Sequence, residues 1–212
     1  MLPQDELHRH LGILRRRDKR LAGAIKVAGL PGARGMDPGF ATLIHIIVDQ
    51  QVSTAAGAAI WAKLKKAAGG KVTPRSLLAL GEKGLRANGM SGPKTRYALG
   101  LAEATAAKKL NFRALERVGD DEVRARLTEF KGIGKWTADI YLMFGMGRPD
   151  IWPVGDLAIQ HAIRILHELD DKPEEDVCET LGAPWSPYRT SAAIFLWHYF
   201  KHMRRKPALP TG

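Results

Sequence analysis

From Leu7 to Met203 the apolar residues of this chain recur at spacings of three and four, and no strand-length β-branched run alternates with period two. Such a chain can bury its apolar groups only by packing helix on helix. The pattern therefore specifies an all-α fold, with roughly eight to ten helices in two packed lobes. Leu7, Leu11, Leu14, Leu21, Ile25 and Ala28 trace one face of a long first helix, whose other side carries Arg15, Arg16, Arg17, Lys19 and Arg20 as a solvated face. A breaker segment, Gly29 to Gly39, separates it from the apolar run Phe40, Leu43, Ile44, Ile47 and Val48. Six mostly polar residues, Asp49 to Thr54, then form an elbow before Ala55, Ala59, Ile60 and Leu64 resume the helical spacing. Thr73-Pro74 and Ser91-Gly92-Pro93 open two further helices, and Asp120 or Asp121 caps another that ends near Phe130. Trp136 to Met146, Leu157 to Leu169 and Tyr188 to Met203 complete the series.

Length and charge narrow the function classes. The 212 residues suffice for one large domain or two small ones, and 33 Lys and Arg against 22 Asp and Glu leave a formal charge of +11, which calls for an anionic partner. A single cysteine, Cys178, excludes a disulfide framework, a four-cysteine zinc site and a cysteine-held iron–sulfur cluster, and fits a reducing compartment. The N-terminal segment lacks a charged-then-apolar leader, and no apolar run approaches the roughly 18 residues of a membrane span, so a soluble intracellular protein is expected. His45, His161, His167, His198 and His202 lack the H-E-x-x-H spacing of a zinc hydrolase, which leaves no metal site built from side chains, and His198 and His202 read as solvent-facing.

Two segments carry chemistry. In Phe130-Lys131-Gly132-Ile133-Gly134-Lys135-Trp136-Thr137-Ala138, two glycines turn the chain between helices, Ile133 pins the turn to the core, and Lys131 and Lys135 flank the exposed amides. This is either a tight helix–helix turn with a glycine cap or an anion clamp. Downstream, Arg148-Pro149-Asp150-Ile151-Trp152-Pro153-Val154-Gly155-Asp156 leads into a helix. Asp156 can serve there as an N-cap, as a catalytic carboxylate, or as both.

Lys131 to Ala138, followed twenty positions after Trp136 by the aspartate of Pro-Val-Gly-Asp-Leu, resembles the helix-hairpin-helix, glycine/proline-rich loop and aspartate signature of the base-excision DNA glycosylases. Gln50-Gln51-Val52-Ser53 and Trp185-Ser186-Pro187-Tyr188-Arg189-Thr190 are further similar to the 3-methyladenine DNA glycosylase II (AlkA-type) branch, and the likeness runs from about Phe40 to Trp197. The resemblance implies two helical lobes with the hairpin between them. Residues 1–212 form one catalytic unit, with about 40–146 as a central lobe and 1–39 with 147–212 as the second.

The resemblance also assigns residues. Lys131, Gly132, Ile133, Gly134 and Lys135 would bind DNA backbone phosphate, with no cofactor beyond a monovalent cation on the hairpin carbonyls. Asp156 would be the essential carboxylate, acting on the sugar cation or on water. Gln51 matches the wedge that fills the gap left by an extruded base, its alternative being a polar elbow residue. Trp136 and Trp185 match base-pocket aromatics, and Tyr141 stands one position beyond the family's pocket tyrosine, where this chain has Ile140. Trp61, Trp152 and Trp197 read as core. Lys94 and Arg96 are either phosphate contacts or a solvated helix start, and Arg189 either supports the pocket wall or makes a structural pair.

One departure bears on the reaction. The bifunctional glycosylase/lyases of this superfamily place a nucleophilic lysine where this chain has Trp136, and Lys135 points roughly 100° away around the helix. The resemblance thus implies a monofunctional glycosylase that leaves an abasic site. A carboxylate about 4 Å from a developing cation is worth roughly 4 kcal/mol at an effective dielectric near 20, or about a thousandfold in rate. That suits bases already cationic, such as N3- and N7-alkylated purines stacked on indole. Damaged double-stranded DNA is the expected partner of a monomer in the cytoplasm, at the nucleoid in a bacterium or in the nucleus of a eukaryote. A glycosylase for another lesion and a non-enzymatic helix-hairpin-helix DNA-binding protein remain the alternatives.

Overall fold

A computed structural model describes residues 2–33 and 35–204. In chain order its helices are α1 (Gln4–Arg17), α2 (Lys19–Ala28), α3 (Phe40–Asp49), α4 (Thr54–Ala67), α5 (Pro74–Ala87), α6 (Gly92–Ala106), α7 (Phe112–Leu115), α8 (Asp120–Thr128), α9 (Lys135–Ile140), α10 (Leu157–His167), α11 (Glu175–Gly182) and α12 (Arg189–Met203). A π-helical turn, Tyr141–Gly145, continues α9, and a 3-10 turn, Ala183–Trp185, follows α11. The described residues contain no strand, as the helical spacing of the apolar residues requires. Among them, no helix is long and apolar enough to cross a membrane.

The chain divides into two compact units, Met36–Met146 and Met1–Gly35 with Gly147–Gly212. The first is built around α3, whose residues Phe40, Thr42, Leu43, Ile44, Ile46, Ile47 and Val48 are buried and which packs against α4, α6, α9 and the π-helical turn. A helix apolar around most of its circumference has nowhere to lie but the centre of its unit. In the second unit α12 plays that part: Thr190 to Leu196 are buried, and α1, α2 and α10 pack on it.

Among the described residues twelve α-helices stand where the spacing led to roughly eight to ten, and several boundaries differ from that reading. The first helix is two, because Asp18 leaves helical geometry and caps α2, its Oδ1 accepting the Leu21 N–H at 3.0 Å. A short acid competes for backbone donors, and the apolar spacing survives because both helices turn the same stripe inward. Gly119, rather than Asp120 or Asp121, holds the cap position of α8, and both acids lie in its first turn. In the C-terminal half of α12, His198 Nε2 lies 2.7 Å from the Ala28 carbonyl oxygen, and both His198 and His202 are half-buried, so neither is the solvent-facing ring expected.

Candidate active site

In the unit Met36–Met146, the turn between α8 and α9 is held from three sides. Gly132 has φ +89°, and a Cβ there would come within 2.2 Å of Tyr97 Cδ2, so both backbone and space require glycine. Ile133 is buried below the turn. Arg124 Nε donates to Asp139 Oδ1 at 2.6 Å, which braces α8 against α9, while Arg124 Nη1 donates within α8 to Asp121 Oδ1 at 2.7 Å. Burial pushes the Asp139 carboxyl up, and the Arg124 hydrogen bond opposes that without reversing it. Gly134 differs from Gly132: it is exposed, and no heavy atom lies within 4 Å of where its Cβ would stand. The turn thus presents an open backbone face at Gly134, between the exposed Lys131 and Lys135. A cavity of about 540 Å³ beside it is lined by Arg96, Tyr97, Leu101, Phe130 and Lys131, and by none of the aromatics expected around a base.

The elbow after α3 is tied to this turn. Gln50 Nε2 donates to the Gly132 carbonyl and to Thr137 Oγ1, both at 2.9 Å. Lys94 Nζ donates to the carbonyls of Val48 at 2.8 Å and Gln50 at 2.5 Å, so it closes the C-terminus of α3 instead of reaching for phosphate. Burial lowers its pKa, against the pull of Asp49. Gln51 follows at φ +51°, a left-handed conformation uncommon outside glycine, and is exposed. Ser53 then caps α4 through the Ala56 N–H at 3.2 Å. The reading of the sequence missed Gln50 and Lys94 as the anchors of this elbow. Two adjacent glutamines gave no sign of which one turns inward.

Among the aromatics, Trp136 is half-buried in the first turn of α9. Tyr141 and Trp185 correct the expectation that they line a base pocket. Each is 1% exposed, and a base stacks only on a ring that has an open face. The Tyr141 hydroxyl accepts the Gly39 N–H at 2.9 Å, and burial pushes its pKa up to about 12. In the other unit, Trp185 Nε1 donates to Asp18 Oδ2 at 2.9 Å, while its ring meets Trp152 edge to face at 5.4 Å. Trp61, read as core, is half-buried and stacked on His45 at 4.3 Å.

In that second unit Asp156 caps α10. Its Oδ1 accepts the N–H groups of Ala158 at 2.9 Å and Ile159 at 3.0 Å, and also the indole N–H of Trp197 at 2.9 Å. The preceding loop is held at several points. Thr190 Oγ1 donates to the Arg148 carbonyl and accepts the Ile151 N–H; Trp152 Nε1 donates to the Cys178 carbonyl; Gln160 Nε2 donates to the Val154 carbonyl at 2.8 Å. Arg189 grips Asp150 with two parallel hydrogen bonds of 2.9 Å, which settles its role as a structural pair. Burial pushes Asp150 up, but the Arg189 and Ser186 hydrogen bonds together leave its pKa below the ordinary carboxylate value. Such a loop fixes a carboxylate at a helix start. It does so with more contacts than capping alone requires.

The pattern of the HhH-GPD superfamily of base excision DNA repair proteins matches residues 44–187, from within α3 to the loop before α12. The chain belongs to this superfamily. Its elbow, glycine turn and Asp156 all fall inside the matched span, while Trp197 lies beyond it. DNA-3-methyladenine glycosylase 1 of Schizosaccharomyces pombe is 33% identical over 158 residues, which cover 73% of this chain and 69% of that one. The Bacillus subtilis protein YfjP is 34% identical over 124 residues, and this chain spans only 43% of its length. Among solved structures, a Schizosaccharomyces pombe 3-methyladenine DNA glycosylase in complex with abasic DNA superposes with a TM-score of 0.82 at 30% identity, covering 91% of this chain and 95% of that one.

Proposed function

We propose that this HhH-GPD chain is a monofunctional DNA glycosylase that extrudes an N3- or N7-alkylated purine from duplex DNA and hydrolyses its N-glycosidic bond, leaving an abasic site. The observation that carries the reading is Asp156, a carboxylate held by three N–H donors at the start of α10. As the C1′–N bond breaks, the electron pair leaves with the base and positive charge grows on the sugar. The Asp156 anion stabilises that charge by the roughly 4 kcal/mol worked out above. Water then adds its oxygen to C1′ and releases a proton. A base that is already cationic needs no protonation to leave, which is why alkylated purines suit a site with one carboxylate. The names of the relatives point the same way.

Trp136 occupies the position of the lyase lysine, so the sugar is not captured as a Schiff base and the strand stays intact. The half-buried indole of Trp136 is the remaining aromatic for stacking a flipped base. Gln51, exposed and held in a left-handed turn, is the wedge. The open backbone at Gly134 and its flanking lysines take the DNA phosphate. A monovalent cation fits the same turn: the Phe130 and Gly132 carbonyls accept the Ile133 N–H and the Gln50 amide, and each keeps a second lone pair for an ion. The protein acts as a monomer where the chromosome is, at a bacterial nucleoid or in a eukaryotic nucleus.

The test is release of free base from methylated duplex DNA by wild type and Asp156→Asn. Wild type should release 3-methyladenine and 7-methylguanine and leave alkali-labile, uncut strands, while the variant loses about a thousandfold in rate and keeps its DNA affinity. Wild-type rates in the variant, or excision of hypoxanthine far faster than 3-methyladenine, would overturn the reading.

A further inference from the structure

We propose that Lys94 is a positioning residue for base extrusion, which fixes the peptide plane ahead of Gln51 and so holds the wedge in its working conformation. The inference rests on the reading of Gln51 as the wedge. Lys94 acts through a backbone carbonyl, with no contact of its own to base or phosphate.

Gln51 needs such a hold. It is left-handed at φ +51° and exposed, and a residue other than glycine stays in that region only where its surroundings over-determine it. Among the described residues the Gln51 side chain makes no hydrogen bond, so the constraint comes from the flanking backbone. On the C-terminal side Ser53 caps α4. On the N-terminal side Gln50 is gripped twice. Its side-chain amide donates to the Gly132 carbonyl and to Thr137 Oγ1, which anchors the residue to the glycine turn but leaves the peptide joining Gln50 to Gln51 free to rotate. That peptide carries the Gln50 carbonyl, and Lys94 Nζ donates to it at 2.5 Å. Because a peptide is planar, fixing the direction of this carbonyl constrains ψ of Gln50, 133°, and φ of Gln51 together. The other Lys94 bond, to the Val48 carbonyl at 2.8 Å, has an ordinary explanation: Val48 is in the last turn of α3, where carbonyls lack helical partners and a cation is favoured. Gln50 lies past the last helical residue, so capping α3 gives no account of the bond to its carbonyl.

Lys94→Met keeps the length of the side chain and removes its donors. Two substrates carry the test: a duplex with 7-methylguanine opposite cytosine, and the same strand with the lesion inside a bubble of unpaired bases, where extrusion costs least. Single-turnover release from the paired lesion should slow roughly tenfold, the equilibrium cost of a left-handed conformation that must be rebuilt before each insertion, while release from the bubble stays within about twofold of wild type. A lysine that only stabilised the fold would slow both alike. Gln51→Ala should show the same dependence on pairing, and adding Lys94→Met to it should change nothing further. The slope of log affinity against log salt should match wild type, since no phosphate contact is lost. A wild-type rate on the paired lesion, an equal loss on both substrates, a further loss in the double variant, or a slope lowered by about one overturns the proposal. If Lys94→Met fails to fold, Lys94→Gln, which keeps a neutral donor, is judged by the same criteria. If Gln51→Ala shows no dependence on pairing, the wedge reading falls; if wild type releases 7-methylguanine from neither substrate, the glycosylase reading falls. The failures are thus distinguishable.

Discussion

Gly132 and Gly134 are two residues apart in one turn, yet a methyl group should do opposite things at the two positions. At Gly132 it meets a left-handed backbone, φ +89°, and a ring whose Cδ2, Cγ and Cε2 atoms lie 2.2, 2.3 and 2.8 Å from the new carbon. The conformation costs about 1–2 kcal/mol for a non-glycine residue, and forcing the Tyr97 ring aside adds roughly 1–3 kcal/mol. Taking about 3 kcal/mol as the sum, a protein of this size loses roughly 6–12 °C of thermal midpoint. At Gly134 no heavy atom lies within 4 Å of the new carbon, and φ lies outside the left-handed region. Gly134→Ala should therefore leave stability within about 0.5 kcal/mol of wild type. On the proposed function its cost falls on DNA, because the methyl would stand where phosphate is proposed to approach the backbone. Thermal unfolding and fluorescence-anisotropy titration of abasic duplex, run on both variants, separate the effects. An unchanged midpoint in Gly132→Ala, or unchanged DNA affinity in Gly134→Ala, would refute the account of the turn.

Two other outcomes follow. Lys131→Ala and Lys135→Ala should each lower the slope of log affinity against log salt by about one, with little dependence on DNA sequence; an unchanged slope at either position takes that lysine off the phosphate. Burial lowers the pKa values of His10, His45 and His167 below 6.5, so the unfolded chain takes up their protons first; stability is complete above pH 6.5 and declines as the pH falls through that value. A urea midpoint lower at pH 5 than at pH 7.5 is expected, and an equal one would contradict the burial of these rings.

The all-α fold was legible because the three- and four-residue spacing admits no other packing, and the glycine turn because positive φ and close approach leave a compositional mark. Asp156 was visible through the Pro and Gly residues that deliver it to a helix start. Contacts between elements remote in sequence were not visible. Trp197 and Asp156 are joined by the packing of α12 on α10, and nothing in a tryptophan within an apolar helix says that its N–H meets a carboxylate. Trp185 and Tyr141 failed for the same reason from the other side. Their register along the chain matched a pocket, but their hydrogen bonds to Asp18 and Gly39 belong to the cores of their units. Asp18 illustrates the limit of periodicity, since a stripe of correct spacing runs unbroken through a helix break.

An aspartate at a helix start has an ordinary explanation, and the energetics show how to separate it from the catalytic one. Asparagine is about as good an N-cap as aspartate, since its side-chain oxygen accepts the same N2 and N3 hydrogens. If Asp156 only capped α10, Asp156→Asn would be close to neutral in every measurement. The variant does remove a full charge, and only a role that needs the anion can register that loss. Stability nearly unchanged together with base release reduced about a thousandfold therefore assigns the charge to chemistry. Asp156→Ala cannot make this distinction, because it deletes the cap, the Trp197 acceptor and the charge at once. A substantial stability loss in Asp156→Asn would mean that the anion is needed for the fold, through Trp197 and the positive end of α10, and the rate would then have to be read against the folded fraction.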